Sequence, residues 1–183
     1  MTPRAITIRL AEPRDAQAIA TMSREFIESG LGWKYDAARV LRAMRDRETL
    51  AVVACEGAKG AASPARSAVA GFAIMEFGDE RAHLVLLAVR PSHRRLGIGQ
   101  RMLDWLLDSA RVAGMASIHL ELRSVNEAAR RFYRAMGFYE TVLVPGYYRS
   151  GEGRKEGALR MLRVLRSPGP VPYTWRPPKH EDS

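Results

Sequence analysis

Hydrophobic and polar positions follow two different periods along this chain. Apolar residues at every second position, or short continuous apolar runs, predict β-strands, whereas apolar spacings of three and four residues predict amphipathic helices. The predicted strands cover residues 5–10, 50–55, 68–77, 81–89, 118–123, 138–144 and 158–165. The predicted helices cover residues 15–29, 36–46, 97–113 and 126–136.

The order of these elements predicts an α/β (or α+β) fold in three layers. The run Gly78-Asp79-Glu80 joins two β-runs as a hairpin, whereas helices separate the later strands. A sheet with both kinds of connection is mixed, and its helices cover both faces. We expect one domain over residues 1–166 and a proline-rich, extended or disordered tail over residues 167–183. The small-residue run 57–67 predicts a loop inside the domain.

Composition narrows the class of protein. The 29 Lys and Arg residues outnumber the 20 Asp and Glu residues, so the net charge is +9, which favours polyanionic partners such as phosphorylated cofactors or nucleic acid. The single cysteine, Cys55, excludes an internal disulfide framework and a Cys-based zinc site, and we expect no metal. The apolar runs are too short to cross a bilayer and no signal peptide is visible, so we expect a cytoplasmic protein without membrane contact.

The segment between the predicted strand 81–89 and the helix 97–113 carries the sharpest chemical signal. It reads RRLGIGQ from Arg94 to Gln100. Glycines let backbone N–H groups approach a ligand closely, and a helix N-terminus adds unpaired donors and a positive dipole. The pattern predicts a pyrophosphate-binding turn, and the alternative is an ordinary strand-to-helix turn with an incidental arginine cluster. It is not the dinucleotide fingerprint, because Met102 stands where the third glycine belongs.

A second signal lies in the predicted strand 118–123 and the helix after it. A carboxylate such as Glu121 inside an apolar strand is costly unless it is paired or functional. On the helix, Asn126, Ala129 and Tyr133 share one face. Glu121 as a base and Tyr133 as an acid can therefore meet in one cleft. The alternatives are a salt bridge for Glu121 and core packing for Tyr133.

The start of that helix has a structural interpretation of its own. The run SVNE from Ser124 to Glu127 fits a capping box, with Ser124 as the N-cap and Glu127 three residues later. This interpretation places Asn126 in the first helical turn.

Taken together, these segments resemble the GNAT superfamily of acyl-CoA-dependent N-acetyltransferases. The run 94–99 matches the R/Q-x-x-G-x-G/A motif of that family, and Asn126, Ala129, Tyr133 and Gly137 match its second signature. Residues 120–158 are most similar to ribosomal-protein alanine N-acetyltransferases, which acetylate protein N-termini. That similarity lies in LELRSVN at 120–126, the pair at 147–148 and Gly-Arg at 153–154. The resemblance covers about residues 5–165.

The resemblance implies a mostly antiparallel central sheet of about seven strands, with acetyl-CoA as the cosubstrate. It implies a catalytic role for two residues. Glu121, directly or through water, would take a proton from the acceptor amine, and Tyr133 would protonate the departing thiolate. The residues implied to contact acetyl-CoA are Leu87, Val89, Arg94, Arg95, Gly97, Ile98, Gly99, Gln100, Asn126 and Tyr133.

The acceptor is predicted less sharply. Tyr147 and Tyr148 follow the turn signal Pro145-Gly146, so we expect them on a loop between the last two strands, where they either grip a peptide or only pack the loop. The leading function is acetyl transfer to a protein or peptide N-terminus. The alternatives are acetylation of a small-molecule amine, or a non-catalytic relative that binds acyl-CoA or docks on RNA or the ribosome through the basic run 149–166. The chain is expected to be a monomer or a homodimer.

Overall fold

The computed structural model describes residues 5–31, 34–57, 68–149 and 155–166. The strands are β1 (Ala5–Leu10), β2 (Thr49–Gly57), β3 (Ala68–Phe77), β4 (Arg81–Val89), β5 (Ser117–Arg123), β6 (Tyr139–Arg149) and β7 (Lys155–Val164). The helices are α1 (Ala16–Phe26), α2 (Ala37–Arg45), α3 (Ile98–Val112) and α4 (Glu127–Ala135). Every predicted element is confirmed: β1, β3 and β4 have the predicted bounds, and the ends of the other elements shift. The predicted tail, the Gly153-Arg154 match and the predicted loop beyond Gly57 lie outside the described residues.

All seven strands form one sheet in the order β1-β2-β3-β4-β5-β7-β6. Neighbouring strands run antiparallel except for β4 and β5, which form the parallel pair of the described sheet. This arrangement confirms the mixed, mostly antiparallel sheet. A parallel pair needs a crossover, and α3 supplies it between β4 and β5.

Two hydrophobic cores lie on opposite faces of the sheet. In β2, Val52 and Ala54 belong to the core under α3 and α4, whereas Ala51, Val53 and Cys55 belong to the core under α1 and α2. Both sets of side chains are buried because successive residues of a strand point to opposite faces, and each face is covered by helices. The three-layer prediction is therefore confirmed. None of the helices within the described ranges has the length and apolar character needed to cross a membrane.

Strand β4 changes its pairing in the middle. Its Leu84 pairs with Met75 of β3, and its Leu86 pairs with the adjacent Ile74, so Val85 is an extra residue in a β-bulge. Leu84 consequently packs in the core under α3, whereas Leu86 packs in the core under α1. On the other side, β4 pairs with β5 at three positions ending at His83 and His119. The rest of β4 is left without a partner on that side in the described sheet.

The start of α4 differs from the prediction. Asn126 is the N-cap, and its side-chain oxygen accepts a hydrogen bond from the backbone N–H of Ala129 at 3.1 Å. The expected capping box with Ser124 is therefore wrong. The reason is that Ser124 still belongs to the sheet edge, since its N–H donates to the carbonyl of Gly157 at 2.9 Å. Asn126 is then the last non-helical residue, which is the position where a short polar side chain caps best.

The tyrosine pair also differs from the prediction. Tyr147 and Tyr148 lie within β6, where Tyr148 pairs with Glu156 of β7, and not on a loop. The register of β6 is irregular between Val144 and Tyr148, and Gly146 adopts a positive φ of 66° there. The turn signal Pro145-Gly146 marks this irregularity inside the strand, because glycine at a positive φ lets a strand bend without ending it.

Candidate active site

A cleft of about 1050 Å³ lies where β4 and β5 stop pairing. Its walls come from the middle of β4, the second half of β5, the end of α1 with the connection after it, the start of α4 and the tyrosine pair of β6. Of the predicted site residues, the cleft is lined by Leu87, Glu121, Asn126, Tyr133, Tyr147 and Tyr148. Val89 and the glycine-containing turn are not among its lining residues.

The turn before α3 has the backbone shape of an anion site. Gly97 is the N-cap of α3 with φ of 73°, and Arg95 also has a positive φ of 64°. The first helical hydrogen bond runs from the N–H of Arg101 to the carbonyl of Gly97 at 3.0 Å, so the N–H groups of the preceding residues have no partner within the helix. Such N–H groups, together with the helix dipole, favour a bound anion.

Arg94 turns away from that helix end. Its Nε donates to the carbonyl oxygen of Val89 at 3.1 Å, and its guanidinium lies 5.9 Å from the ring centre of Phe26 in α1. The side chain therefore runs between the end of β4 and α1.

Glu121 is held by two cationic or polar neighbours in the cleft. Its Oε2 lies 2.8 Å from His83 Nε2, and its Oε1 accepts from Arg160 Nε at 2.8 Å. The hydrogen bond with His83, helped by Arg160, outweighs burial and lowers the pKa of Glu121 to about 2. The sequence offered a salt bridge and a position in the cleft as alternatives for Glu121, and the structure shows both. The carboxylate is ionised at neutral pH and binds a proton weakly.

His83 is a cleft residue that sequence reasoning missed. It sits opposite His119 in the parallel pair, and the two imidazole rings stack with centroids 4.5 Å apart and planes 4° apart. Alternation of Arg81 and His83 with Ala82 and Leu84 puts His83 on the polar face of β4. The contact of His83 with Glu121 depends on the register between β4 and β5. The pattern of residues along one strand does not reveal that register. His119 lies deeper, and burial together with the nearby His83 lowers its pKa.

Tyr133 is both a core residue and a cleft residue. It is 8% exposed, and its ring makes edge contacts with Phe132 at 5.1 Å and Phe138 at 5.6 Å between centroids. Burial raises the pKa of its hydroxyl far above the ordinary tyrosine value, so the phenol is protonated at any physiological pH. A protonated hydroxyl in a cleft can donate a proton or a hydrogen bond.

The connection after α1 is fastened to the site by two residues that carried no sequence signal. The buried carboxylate of Glu28 accepts from the N–H of Lys34 at 2.8 Å and from the N–H of Tyr35 at 3.3 Å. From β5, Arg123 donates to the carbonyl of Ser29 at 3.0 Å. These contacts fix the backbone that closes one end of the cleft.

The tyrosine pair forms part of the cleft wall. Tyr147 is half-exposed, Tyr148 is partly buried, and their rings meet edge to face at 4.9 Å. Burial, with the nearby Tyr147 and Glu121, raises the pKa of Tyr148 to about 12. The two aromatic side chains present rigid, amphipathic surface to whatever enters the cleft.

Comparisons with known proteins show similarity in sequence and in overall fold. The chain is 33% identical over 96 residues to the ribosomal protein bS18-alanine N-acetyltransferase of Escherichia coli (strain K12), over 52% of this chain and 65% of that relative. The crystal structure of Ard1 from Thermoplasma volcanium superposes with a TM-score of 0.71 at 28% identity, over 89% of this chain and 99% of that one. The ribosomal-protein-S18-alanine N-acetyltransferase from Escherichia coli gives a TM-score of 0.70 at 26% identity, over 92% and 99%.

The family match covers most of the elements that build the site. The model of the acetyltransferase (GNAT) family matches residues 18–138, which run from the first turn of α1 to the end of the α4 region. This span is more than half of the chain and includes strands β4 and β5, the turn before α3, Glu121 and Tyr133. The chain therefore belongs to the acetyltransferase (GNAT) family.

Proposed function

We propose that this protein transfers the acetyl group of acetyl-CoA to a primary amine, with a protein or peptide N-terminus as the acceptor. The observation that carries the proposal is the cleft between β4 and β5, which brings Glu121, Tyr133 and the tyrosine pair together. The name of one similar protein supports the acceptor, because the Escherichia coli enzyme found by both sequence and structure is an alanine N-acetyltransferase that acts on a ribosomal protein.

Acetyl-CoA would lie along the unpaired side of β4. Its pyrophosphate would accept hydrogen bonds at the start of α3 from the N–H groups of Arg95 and the run Gly97–Gln100, which includes Ile98 and Gly99. Its amide groups would reach the backbone of Leu87 and Val89, since β5 does not pair with that part of β4. The terminal nitrogens of Arg94 and the amide of Asn126 would contact it at the two ends of this path.

The chemical step forms a C–N bond, breaks the C–S bond of the thioester and moves two protons. A free α-amino group has a pKa of about 8, so a nearby acceptor for its proton raises the fraction that can attack. A carboxylate accepts hydrogen bonds and cannot donate, so His83 donates from Nε2 to Glu121 and keeps the lone pair on Nδ1. Glu121 would act through His83 or a bound water, and Tyr133 would protonate the departing thiolate.

The role of Glu121 can be separated from that of His83 by paired substitution. If Glu121 acts by positioning His83, then Glu121→Gln and His83→Gln should each lower kcat by roughly 10²-fold or more, and the double variant should lose little beyond either single variant. Steady-state kinetics with saturating acetyl-CoA measures this. A His83→Gln variant with full kcat beside a slow Glu121→Gln variant would instead assign the proton transfer to Glu121 itself.

The non-catalytic alternative is less well supported, because two of the basic residues that favoured it make contacts inside the protein. Arg160 is engaged by Glu121, and Arg163 donates to the carbonyl of Met136. The ion pair with Glu121 offsets the charge of Arg160, which leaves less positive charge for RNA.

The acceptor class is tested with matched peptides. With acetyl-CoA and a short peptide that begins with alanine, the protein should release the free thiol of coenzyme A. Mass spectrometry should then show one acetyl group on the α-amine of the peptide. The same peptide with a blocked N-terminus and an internal lysine should not react. Tyr148→Ala should raise KM for the peptide while KM for acetyl-CoA stays unchanged, because the tyrosine pair lines the part of the cleft where we propose that the peptide binds. Faster turnover of polyamines or free amino acids than of any peptide would refute the N-terminal acceptor.

A further inference from the structure

A cluster of potential metal ligands lies beside the cleft. His83, His119 and Glu121 each offer one ligand atom, and these atoms all lie within 4.8 Å of one another. The three residues come from two strands, and the parallel pairing of β4 with β5 is what brings the two histidines together. Two imidazoles and one carboxylate form a ligand set that suits Zn²⁺ and related divalent transition metals.

Geometry in part of the cluster is already close to that of a bound ion. His83 Nε2 and Glu121 Oε2 are 2.8 Å apart, with a proton between them. In a tetrahedral zinc site, bonds of about 2.0–2.1 Å place neighbouring ligand atoms about 3.3 Å apart. A zinc ion can replace that proton once one of the two stacked histidine rings, whose planes are 4° apart, has turned so that the in-plane lone pairs of both rings point at the ion. The displaced proton moves to Nδ1 of the His83 ring or to solvent.

His119 supplies an independent observation. Its Nδ1 is buried and has no hydrogen-bond partner among the described residues. A buried polar atom without a partner is costly, and native structures satisfy nearly all of them. The proposed acetyl transfer does not use this nitrogen. A metal ion shared with His83 and Glu121 would satisfy it.

We propose that His83, His119 and Glu121 form a binding site for Zn²⁺ that opens into the cleft. His83 and Glu121 line the cleft, so a fourth position on the ion faces incoming ligands. Three protein ligands with one open position are typical of accessible zinc sites. Arg160 remains on the other carboxylate oxygen of Glu121 and limits affinity through its positive charge.

The site predicts that zinc inhibits acetyl transfer. A bound ion occupies Glu121 and His83, which are then no longer available to the amine. The acetyl-CoA contacts at the start of α3 lie on another element and remain free. This inhibition rests on the proposed function, whereas metal binding does not.

Binding is measured first, without any substrate. Tag-free, chelator-treated full-length protein is titrated with Zn²⁺ against a chromophoric competitor, and with Co²⁺ for its visible absorption bands. We expect one ion per chain. His119→Phe keeps a ring to stack on His83 but removes the ligand nitrogen, and it should weaken binding by at least about tenfold. His93→Gln removes a histidine that pairs with Glu56 at 3.3 Å, outside the cluster, and should bind as the natural protein does.

Two further results decide the proposal. Arg160→Gln removes the nearest positive charge and should tighten zinc binding. His119→Phe should acetylate peptides without the inhibition by zinc seen in the natural protein. Absence of metal binding, or equal binding by the natural protein and His119→Phe, overturns the site. If no variant acetylates any amine while Co²⁺ still binds, the proposed function fails and the metal site stands.

Discussion

Tyr133→Phe should lower kcat by roughly 10²–10⁴-fold while acetyl-CoA still binds and the protein still folds. The substitution removes one hydroxyl from a buried ring that otherwise packs against Phe132 and Phe138, so the shape of the core hardly changes. The hydroxyl pKa is raised by burial, which keeps the proton that a departing thiolate needs. Without this acid, the thiolate must leave unprotonated or draw on water.

The measurement is kcat for the alanine peptide, together with calorimetry of acetyl-CoA binding and the thermal unfolding midpoint. Tyr139→Phe provides the matched control, because Tyr139 is half-exposed on β6 and is not among the cleft residues. It should keep the kcat of the natural protein. If Tyr133→Phe also keeps full kcat, then Tyr133 is only a core residue and the acid lies elsewhere.

Gly99→Glu should abolish acetyl-CoA binding without unfolding the protein. A Cβ at Gly99 would lie 3.5 Å from Phe132 Cζ and 3.7 Å from Val89 Cγ2, which are ordinary contacts. A carboxylate in the first turn of a helix also interacts favourably with the dipole. Its charge would nevertheless face the pyrophosphate, and like charges about 4 Å apart repel by about 4 kcal/mol near a protein surface. A loss of at least a hundredfold in affinity, about 2.8 kcal/mol, is therefore expected.

Gly99→Ala is the control for this prediction. It adds the same Cβ without charge, so it should bind acetyl-CoA within a few fold of the natural protein. Gly97 is unsuitable for the comparison, because its φ of 73° would strain any side chain. Unchanged affinity of the Gly99→Glu variant for acetyl-CoA would contradict the placement of the pyrophosphate at the start of α3.

The sequence predicted the features that depend on neighbours along the chain. Strand and helix periods are local, so every element was found, and the turn before α3 was recognised from two glycines and its flanking arginines. The placement of Glu121 and Tyr133 in one cleft also followed, because the strand and helix that carry them are consecutive.

The features that were missed depend on contacts between distant parts of the chain. His83 meets His119 and Glu121 through the alignment of two parallel strands, which tertiary packing fixes after a helical crossover. Ser124 fits a capping pattern, but the hydrogen bond from its N–H to Gly157 keeps it in the sheet. Asn126 is therefore the residue that caps α4. A local pattern cannot show that a residue is already engaged by a segment over thirty positions away.

The short pairing between β4 and β5 has a consequence for what sets the width of the cleft. Three residue pairs join the half-sheet of β1–β4 to that of β5–β7. Leu103 and Leu107 of α3 pack in one core with Val52 of the first half-sheet and Leu120 of the second. The side chains of this shared core, in addition to the three paired backbone positions, therefore hold the two halves together. A close-packed core responds to the gain or loss of a single methylene group. Substitutions among these core residues can therefore change the distance between the reacting groups without changing the groups themselves.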